Sequence, residues 1–118
     1  MGYRIDFRVG GGVLEATVSG RSGLAGAIAR EIGDQARLSS VQHVLIDLRK
    51  LHNRLGRLHS LLASKHLPSR VAVVDAWQSE RFYIFAEMAA RRLGCDLQRF
   101  EDHGAALIWL RGPRAVQN

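Results

Sequence analysis

The sequence predicts an α/β sandwich: a mostly parallel five-stranded sheet with an N-terminal β-hairpin at one side and elements in the order ββαβαβαβα. Three observations predict it. Residues 3–9, YRIDFRV, and 13–20, VLEATVSG, alternate apolar and polar around a run of three glycines, the period of a half-buried strand pair. HVLIDL (43–48) and RVAVVDA (70–76) are nearly continuous apolar runs, as expected of strands covered on both faces. Between these strands the apolar spacing changes from two to three and four, so strands and helices take turns, which favours parallel pairing.

The hairpin comes first. Tyr3, Ile5, Phe7 and Val9 alternate with Arg4, Asp6 and Arg8, and Gly10-Gly11-Gly12 can adopt any turn geometry. A glycine-rich phosphate loop is the sharper alternative, but no helix follows these glycines and no Gly-Lys-Ser/Thr is present. Ser22 then caps a helix over about 23–38, with Leu24, Ile28, Ile32 and Ala36 every four residues. Gly26 and Gly33 weaken that helix but allow close approach to a sheet. After the strand at 43–48, a helix over about 54–66 presents Leu55, Leu58, Leu61 and Leu62 and ends at Pro68. After the strand at 70–76, Ser79 caps a helix over 80–93 whose inward face is Phe82, Phe85, Ala86, Ala89 and Leu93, with Gly94 as its terminal glycine. DLQRF (96–100) is the last strand. Asp102 caps the last helix, HGAALIWL, which Gly112-Pro113 terminates. The domain is thus expected over 1–112 and a frayed tail over 113–118.

At 118 residues and 47% hydrophobic composition the chain makes one ordinary globular domain. Its apolar runs fall far short of the roughly 20 residues that span a bilayer, and the N-terminus lacks the apolar core of a signal peptide. A cytoplasmic location is expected. One cysteine, Cys95, excludes an intramolecular disulfide, and its place after Gly94 fits a buried, inert thiol. The net charge is +6, and it is concentrated. Leu48 to Val74 contains no Asp or Glu but holds Arg49, Lys50, Arg54, Arg57, Lys65 and Arg70. Such a balance favours anionic partners. The chain shows no recognition-helix motif and no aromatic-studded sheet face, so nucleic acid is not the expected partner.

In a parallel sheet the loops leaving successive strands share one edge, where such folds bind ligands. Here these are Arg49-Lys50-Leu51-His52-Asn53-Arg54 and Asp75-Ala76-Trp77-Gln78-Ser79, each running into a helix N-terminus. Arg49, Lys50, His52, Asn53, Arg54, Trp77 and Ser79 are therefore the candidate binding residues, forming a cationic rim for an anionic ligand or partner. The plainer reading leaves Arg49 and Lys50 solvated and packs Trp77 over the sheet edge. His52, His59 and His66 recur at intervals of seven, about 10 Å along a helix axis, too far apart to share one metal ion. Asp47 and Asp75 end the two buried strands, where an aspartate more often caps a turn than carries acid–base chemistry. No serine elbow, Cys/His pair or cofactor fingerprint is present, so neither an enzyme nor a cofactor is expected. Ile84 and Met88 lie one turn apart on the outward face of the helix at 80–93, framed by Arg81 and Arg91. They offer a surface for self-association, against the plainer reading of scattered surface apolar groups.

The element order, the strand HVLIDLRKL leading into GRLHSLLA, and the ending RVAVVDA…FAEMAARRLGCDLQRFEDHGAALIWL resemble the SpoIIAA-like branch of the STAS (sulfate transporter and anti-sigma-factor antagonist) superfamily. A closing F-x-D…A-x-x-W-L stretch is common there and is matched by Phe100, Asp102, Ala106, Trp109 and Leu110. The resemblance implies a non-enzymatic module that binds proteins or small ligands, including lipid-like ones. In anti-sigma-factor antagonists a serine in the turn after the strand equivalent to VLIDL is phosphorylated to switch partner binding. The matching stretch here is LHNRLG, and no hydroxyl stands between Asp47 and Ser60. A phosphate at a helix N-terminus is the physical basis of that switch, and this stretch offers it no acceptor. The expected function is therefore a STAS-like regulatory or protein-interaction module with a cationic rim. The alternative is a small-molecule or lipid-binding protein with a pocket beside Trp77.

Overall fold

Gly11 and Gly12 sit at φ 60° and 79°, the left-handed pair that a two-residue hairpin turn requires. In the computed structural model, which describes residues 2–21, 25–52, 68–75 and 87–112, this turn joins β1 (Tyr3–Gly10) to β2 (Val13–Arg21) as an antiparallel pair. Helix α1 (Ala25–Leu38) follows, then β3 (His43–His52), β4 (Arg70–Val74), a helical segment α2 (87–92), β5 (Asp96–Phe100) and helix α3 (His103–Arg111). The five strands lie in chain order, β1-β2-β3-β4-β5, with every pair after the first parallel. This is the predicted mostly parallel sheet with a hairpin strand at one side.

Strand alternation divides the interior into two cores. One face carries Leu14, Ala16, Val18, Val44, Ile46, Leu48, Val71, Val73 and Leu97, against Ile28, Ile32 and Ala36 of α1 and Ala90 of α2. The four-residue spacing of the α1 stripe thus does what the sequence predicts for its described part. Tyr3, Ile5 and Phe7 of β1 pack against the rim of this core, and the Tyr3 hydroxyl donates a hydrogen bond to Glu31 of α1. The opposite face carries Val13, Leu45, Ala72 and Val74, covered by Ala106 and Leu110 of α3. Helix α3 packs on β3, β4 and β5. Over β1 and β2, among the described residues, that face bears the polar side chains of Arg4, Asp6, Arg8, Glu15 and Thr17.

The ends of α3 are built as the sequence predicts. Asp102 is extended and its Oδ2 accepts from the Ala105 N–H at 2.9 Å, while the Gly112 N–H donates to the Ile108 carbonyl at 2.9 Å. Gly94 sits at φ +82° just past α2, and Cys95 is buried. Three expectations need correction. Leu93 is not on the buried face but 53% exposed, and Ala90 fills the core in its place. The reason is that residues 93 and 94 leave the helix in a tightened turn, with the Leu93 N–H donating to the Ala90 carbonyl. Strand β3 does not end at Leu48 but continues to His52. Arg70, counted among the cations concentrated at 48–74, is 3% exposed and so adds little to the surface charge. Ser22, Leu24, the helix expected at 54–66, its histidines, and Phe82, Phe85 and Ala86 lie outside the described residues.

Candidate functional site

The continuation of β3 is caused by a β-bulge. Thr17 of β2 pairs with Asp47, but Ser19, two residues on, pairs with Lys50, three residues on. One extra residue in β3 shifts its alternation. Val44, Ile46 and Leu48 face the α1 core, and after the bulge it is Leu51 that returns to that core. Lys50 accordingly joins Asp47 and Arg49 on the opposite face, where all three line one cavity. Two consecutive cations reach one side of the sheet only because of this bulge. Strict alternation would have separated them.

Asp47 closes the bulge. Arg49 lies within the register shift, and its backbone N–H donates to Asp47 Oδ1 at 3.0 Å. Its guanidinium adds Nε to Oδ1 at 3.0 Å and Nη2 to Oδ2 at 2.8 Å. Burial pushes the Asp47 carboxyl upward, but the side-chain and backbone hydrogen bonds and the charge of Arg49 together hold it below its ordinary value. Reciprocally, the hydrogen bond to Asp47 raises Arg49. The buried carboxylate is therefore a structural clamp.

The cavity has a volume of about 390 Å³ and is walled by Asp6, Phe7 and Arg8 of β1, Glu15 and Thr17 of β2, Asp47, Arg49 and Lys50 of β3, and His103 at the start of α3. It is the space over β1 and β2 that α3 leaves uncovered. Each of its three carboxylates is already engaged: Asp6 by Arg4 at 3.1 Å, Glu15 by His103 Nε2 at 2.9 Å, and Asp47 by Arg49. Among the described residues, Arg8 and Lys50 are not paired with a carboxylate. The walls thus balance three carboxylates against three cations, and two of those cations lack a carboxylate partner among the described residues.

Of the residues proposed from sequence, Arg49 and Lys50 are brought together here. His52 is the last residue of β3. Asn53, Arg54, Trp77, Ser79 and Ile84 lie outside the described residues, and Met88 is 52% exposed. The sequence places the rim on a loop leaving β3, whereas Arg49 and Lys50 are strand residues that line the cavity with residues of the hairpin and α3. Sequence reasoning did not find Arg8, Glu15, Thr17 and His103. The one signal for them was the three-residue step from Leu48 to Leu51, which marks the bulge. Arg70 is buried and Arg49 is tied to Asp47, so the basic run from 48 to 74 is not one continuous surface patch. Among the described residues no group of three His, Cys, Asp or Glu could hold a metal ion, and no helix is long and apolar enough to cross a membrane.

A five-stranded sheet in chain order with an antiparallel first strand and, among the described residues, two helices on one face and a C-terminal helix on the other defines a SpoIIAA-like fold. The likeness extends over nearly the whole chain. An anti-sigma factor antagonist from Mycobacterium paratuberculosis superposes with a TM-score of 0.64 at 21% identity, covering 94% of this chain and 96% of that one. An uncharacterised DUF3478-family protein with a SpoIIAA-like fold from Shewanella loihica PV-4 gives 0.58 at 21% identity, covering 92% and 93%. The anti-sigma factor antagonist SpoIIAA in its unphosphorylated form gives 0.52 at 15% identity, covering 95% and 100%. No family model matches the sequence, and no curated protein matches it.

Proposed function

We propose that this protein is a non-enzymatic regulatory module that acts by binding another protein, and that the bulged end of β3 supplies a cationic contact for an acidic partner or ligand. The observation that carries this reading is the charge arrangement of the cavity, in which every carboxylate is engaged within the chain and Lys50 and Arg8, among the described residues, are not. The fold shared with two anti-sigma factor antagonists supports a protein partner. Strand β4 ends at Val74, opposite Asp47, whereas β3 runs on to His52; the proposed rim takes in Asn53, Arg54, Trp77 and Ser79 as well as the end of β3. With no hydroxyl between Asp47 and Ser60, binding is not gated by phosphorylation in that stretch. A small anionic molecule is the second reading, favoured by the cavity volume of about 390 Å³, which falls within the ~300–1,000 Å³ of ligand sites.

The test is titration of a fluorescently labelled poly-glutamate peptide into the purified protein, followed by anisotropy at low and moderate salt. Binding should weaken with salt. It should also fall about tenfold or more in the variant carrying Lys50→Glu and Arg54→Glu, with the unfolding midpoint unchanged. Equal binding by the variant would place the contact elsewhere. An anionic small molecule co-purifying with the protein in native mass spectrometry would favour the second reading.

A further inference from the structure

Strand β1 is the edge of the sheet, and among the described residues β2 is its one strand partner. The strand is eight residues long, and the backbone groups of its alternate residues that point away from β2 pair with none of the described residues. Its side chains fall into two sets. Tyr3, Ile5, Phe7 and Val9 share the α1 face, and Arg4, Asp6 and Arg8 share the polar face, opposite Ser19, Thr17 and Glu15 of β2. The polar set reads Arg-x-Asp-x-Arg, and this symmetry decides how the strand can meet a second copy of itself.

We propose that β1 forms a symmetric dimer by antiparallel pairing with β1 of a second copy, in the register that sets Phe7 opposite the partner's Phe7. A two-fold axis perpendicular to the sheet keeps the α1 face of both copies on one side, so odd residues must meet odd ones and even residues even ones. Registers centred on Arg4 or Arg8 set arginine against arginine at the axis, and three others remain. Asp6 opposite the partner's Asp6 also sets Arg4 against the partner's Arg8, so every charged pair is repulsive. Ile5 opposite the partner's Ile5 gives Arg4–Asp6 pairs but overlaps the strands only from Tyr3 to Phe7. Phe7 opposite the partner's Phe7 overlaps them from Arg4 to Gly10 and sets Asp6 against the partner's Arg8 and Arg8 against the partner's Asp6. It also brings Ile5 over Val9, which is 50% exposed in the single chain. The charges that block one alignment therefore select another. The resulting ten-stranded sheet places the two cavities on the same face across the axis. Arg8, unpaired with a carboxylate among the described residues of one chain, gains its carboxylate from the second copy, and Lys50 remains for the ligand.

The experiment is sedimentation velocity on the full chain and on Asp6→Arg, Arg8→Asp and Arg4→Asp. The unmodified protein should be in monomer–dimer equilibrium. Asp6→Arg and Arg8→Asp should each raise the dimer dissociation constant about tenfold or more, because each turns two attractive cross-strand pairs into repulsive ones. An equimolar mixture of those two variants should dimerise again. In that mixture the arginine introduced at position 6 of one chain faces the aspartate introduced at position 8 of the other. The native Arg8 and the native Asp6 form the second attractive pair, a restoration that misfolded variants would not give. Arg4→Asp should not weaken dimerisation, since Arg4 faces Gly10 and its loss leaves Asp6 to the partner's Arg8. A monomer at millimolar concentration would overturn the proposal, as would dimers indifferent to residues 6 and 8. Loss of the dimer in Arg4→Asp but not in Arg8→Asp would replace the register with the shorter one and overturn this assignment. A monomer whose β1 amides gain hydrogen-exchange protection only with the poly-glutamate peptide present would assign the edge to a foreign strand instead.

Discussion

The guanidinium carbon of Arg70 lies 4.0 Å from the ring centroid of Trp109, so the first residue of β4, which is buried, and the last full turn of α3 are joined by a cation–π contact with a half-buried ring. Trp109 also meets Phe100 of β5 at 5.6 Å between centroids, and Arg70 Nη1 donates to the Gly112 carbonyl at 3.3 Å. One arginine thereby ties the C-terminal helix to the sheet. The tie is imperfect: Nε is buried without a hydrogen-bond partner, 3.9 Å from Asp96 Oδ2.

Those two facts set opposite expectations for two substitutions. Arg70→Ala removes the stacked plane and leaves a void under Trp109, and should cost about 2–4 kcal/mol. Arg70→Met fills the space without burying an unsatisfied N–H and should recover more than half of that loss. Combined with Trp109→Ala, Arg70→Ala should show a coupling of about 1 kcal/mol in a double-mutant cycle measured by urea unfolding. Additive losses would mean that the stacking contributes nothing.

Asp47 makes the bulge, and with it the cationic face, dependent on acid. Its folded-state carboxyl lies below the ordinary 3.8, so its contribution is fully present above that value and is lost as the pH falls through the lower folded value. Asp47→Asn keeps the shape but loses the charge, and should cost about 1.5–3 kcal/mol near neutrality. The low end is expected, because the Arg49 side chain is 43% exposed and solvent screens it. Urea unfolding of both proteins from neutral pH downward should show a constant gap that closes below about pH 4. A gap that persisted into stronger acid would show that geometry, not charge, is what Asp47 supplies.

Gly20 and Gly12 separate backbone conformation from crowding. Gly20 sits at φ +95°, and a Cβ there would stand 2.7 Å from the Gly2 carbonyl oxygen and 3.2 Å from the Tyr3 Cα. Gly12 sits at φ +79° with nothing within 4 Å. Alanine at Gly12 should cost about 1–2 kcal/mol for the left-handed backbone alone. At Gly20 it must also push the start of β1 away from β2, and should cost at least about 1 kcal/mol more. Thermal unfolding of the two variants decides this, and equal losses would contradict the close approach.

The strands and helices in the described residues were legible because their burial follows period: Ile28, Ile32 and Ala36 every four residues, Tyr3, Ile5 and Phe7 every two. The caps at Asp102, Gly112 and Gly94 were legible because each is a local hydrogen-bond or φ requirement that one residue type meets. The site was legible only in its charge. Arg49 and Lys50 stand out as cations, but their placement on one face depends on a bulge that breaks the alternation the reading relies on. Arg8, Glu15 and His103 come from three elements far apart in the chain, and their meeting depends on which strands α3 leaves bare. Arg70 was legible as the first residue of a buried strand but not as a buried cation, for a related reason. A cation beside an apolar run looks solvated until the stacking partner, Trp109, arrives from the last helix.

Cys95 supplies a chemical readout of the core between α2 and β5. Burial pushes its thiol up to about 12, with the neighbouring Asp96 charge adding to the rise. At pH 8 the thiolate fraction in the folded protein is then on the order of 10⁻⁴, so a thiol reagent has almost nothing to attack. Labelling should proceed through opening of the structure and accelerate with urea in step with unfolding. The same shift has a sign for stability. A raised thiol favours the folded state below the ordinary value of 9.0, and that contribution is lost as the unfolded chain ionises above it. The stability of the unmodified protein relative to Cys95→Ala should therefore be constant below pH 9 and decline as the pH rises from 9 toward 12. Rapid labelling of the native protein in the absence of urea would show that Cys95 is reached by solvent, and that the α2–β5 turn is open where the structure closes it.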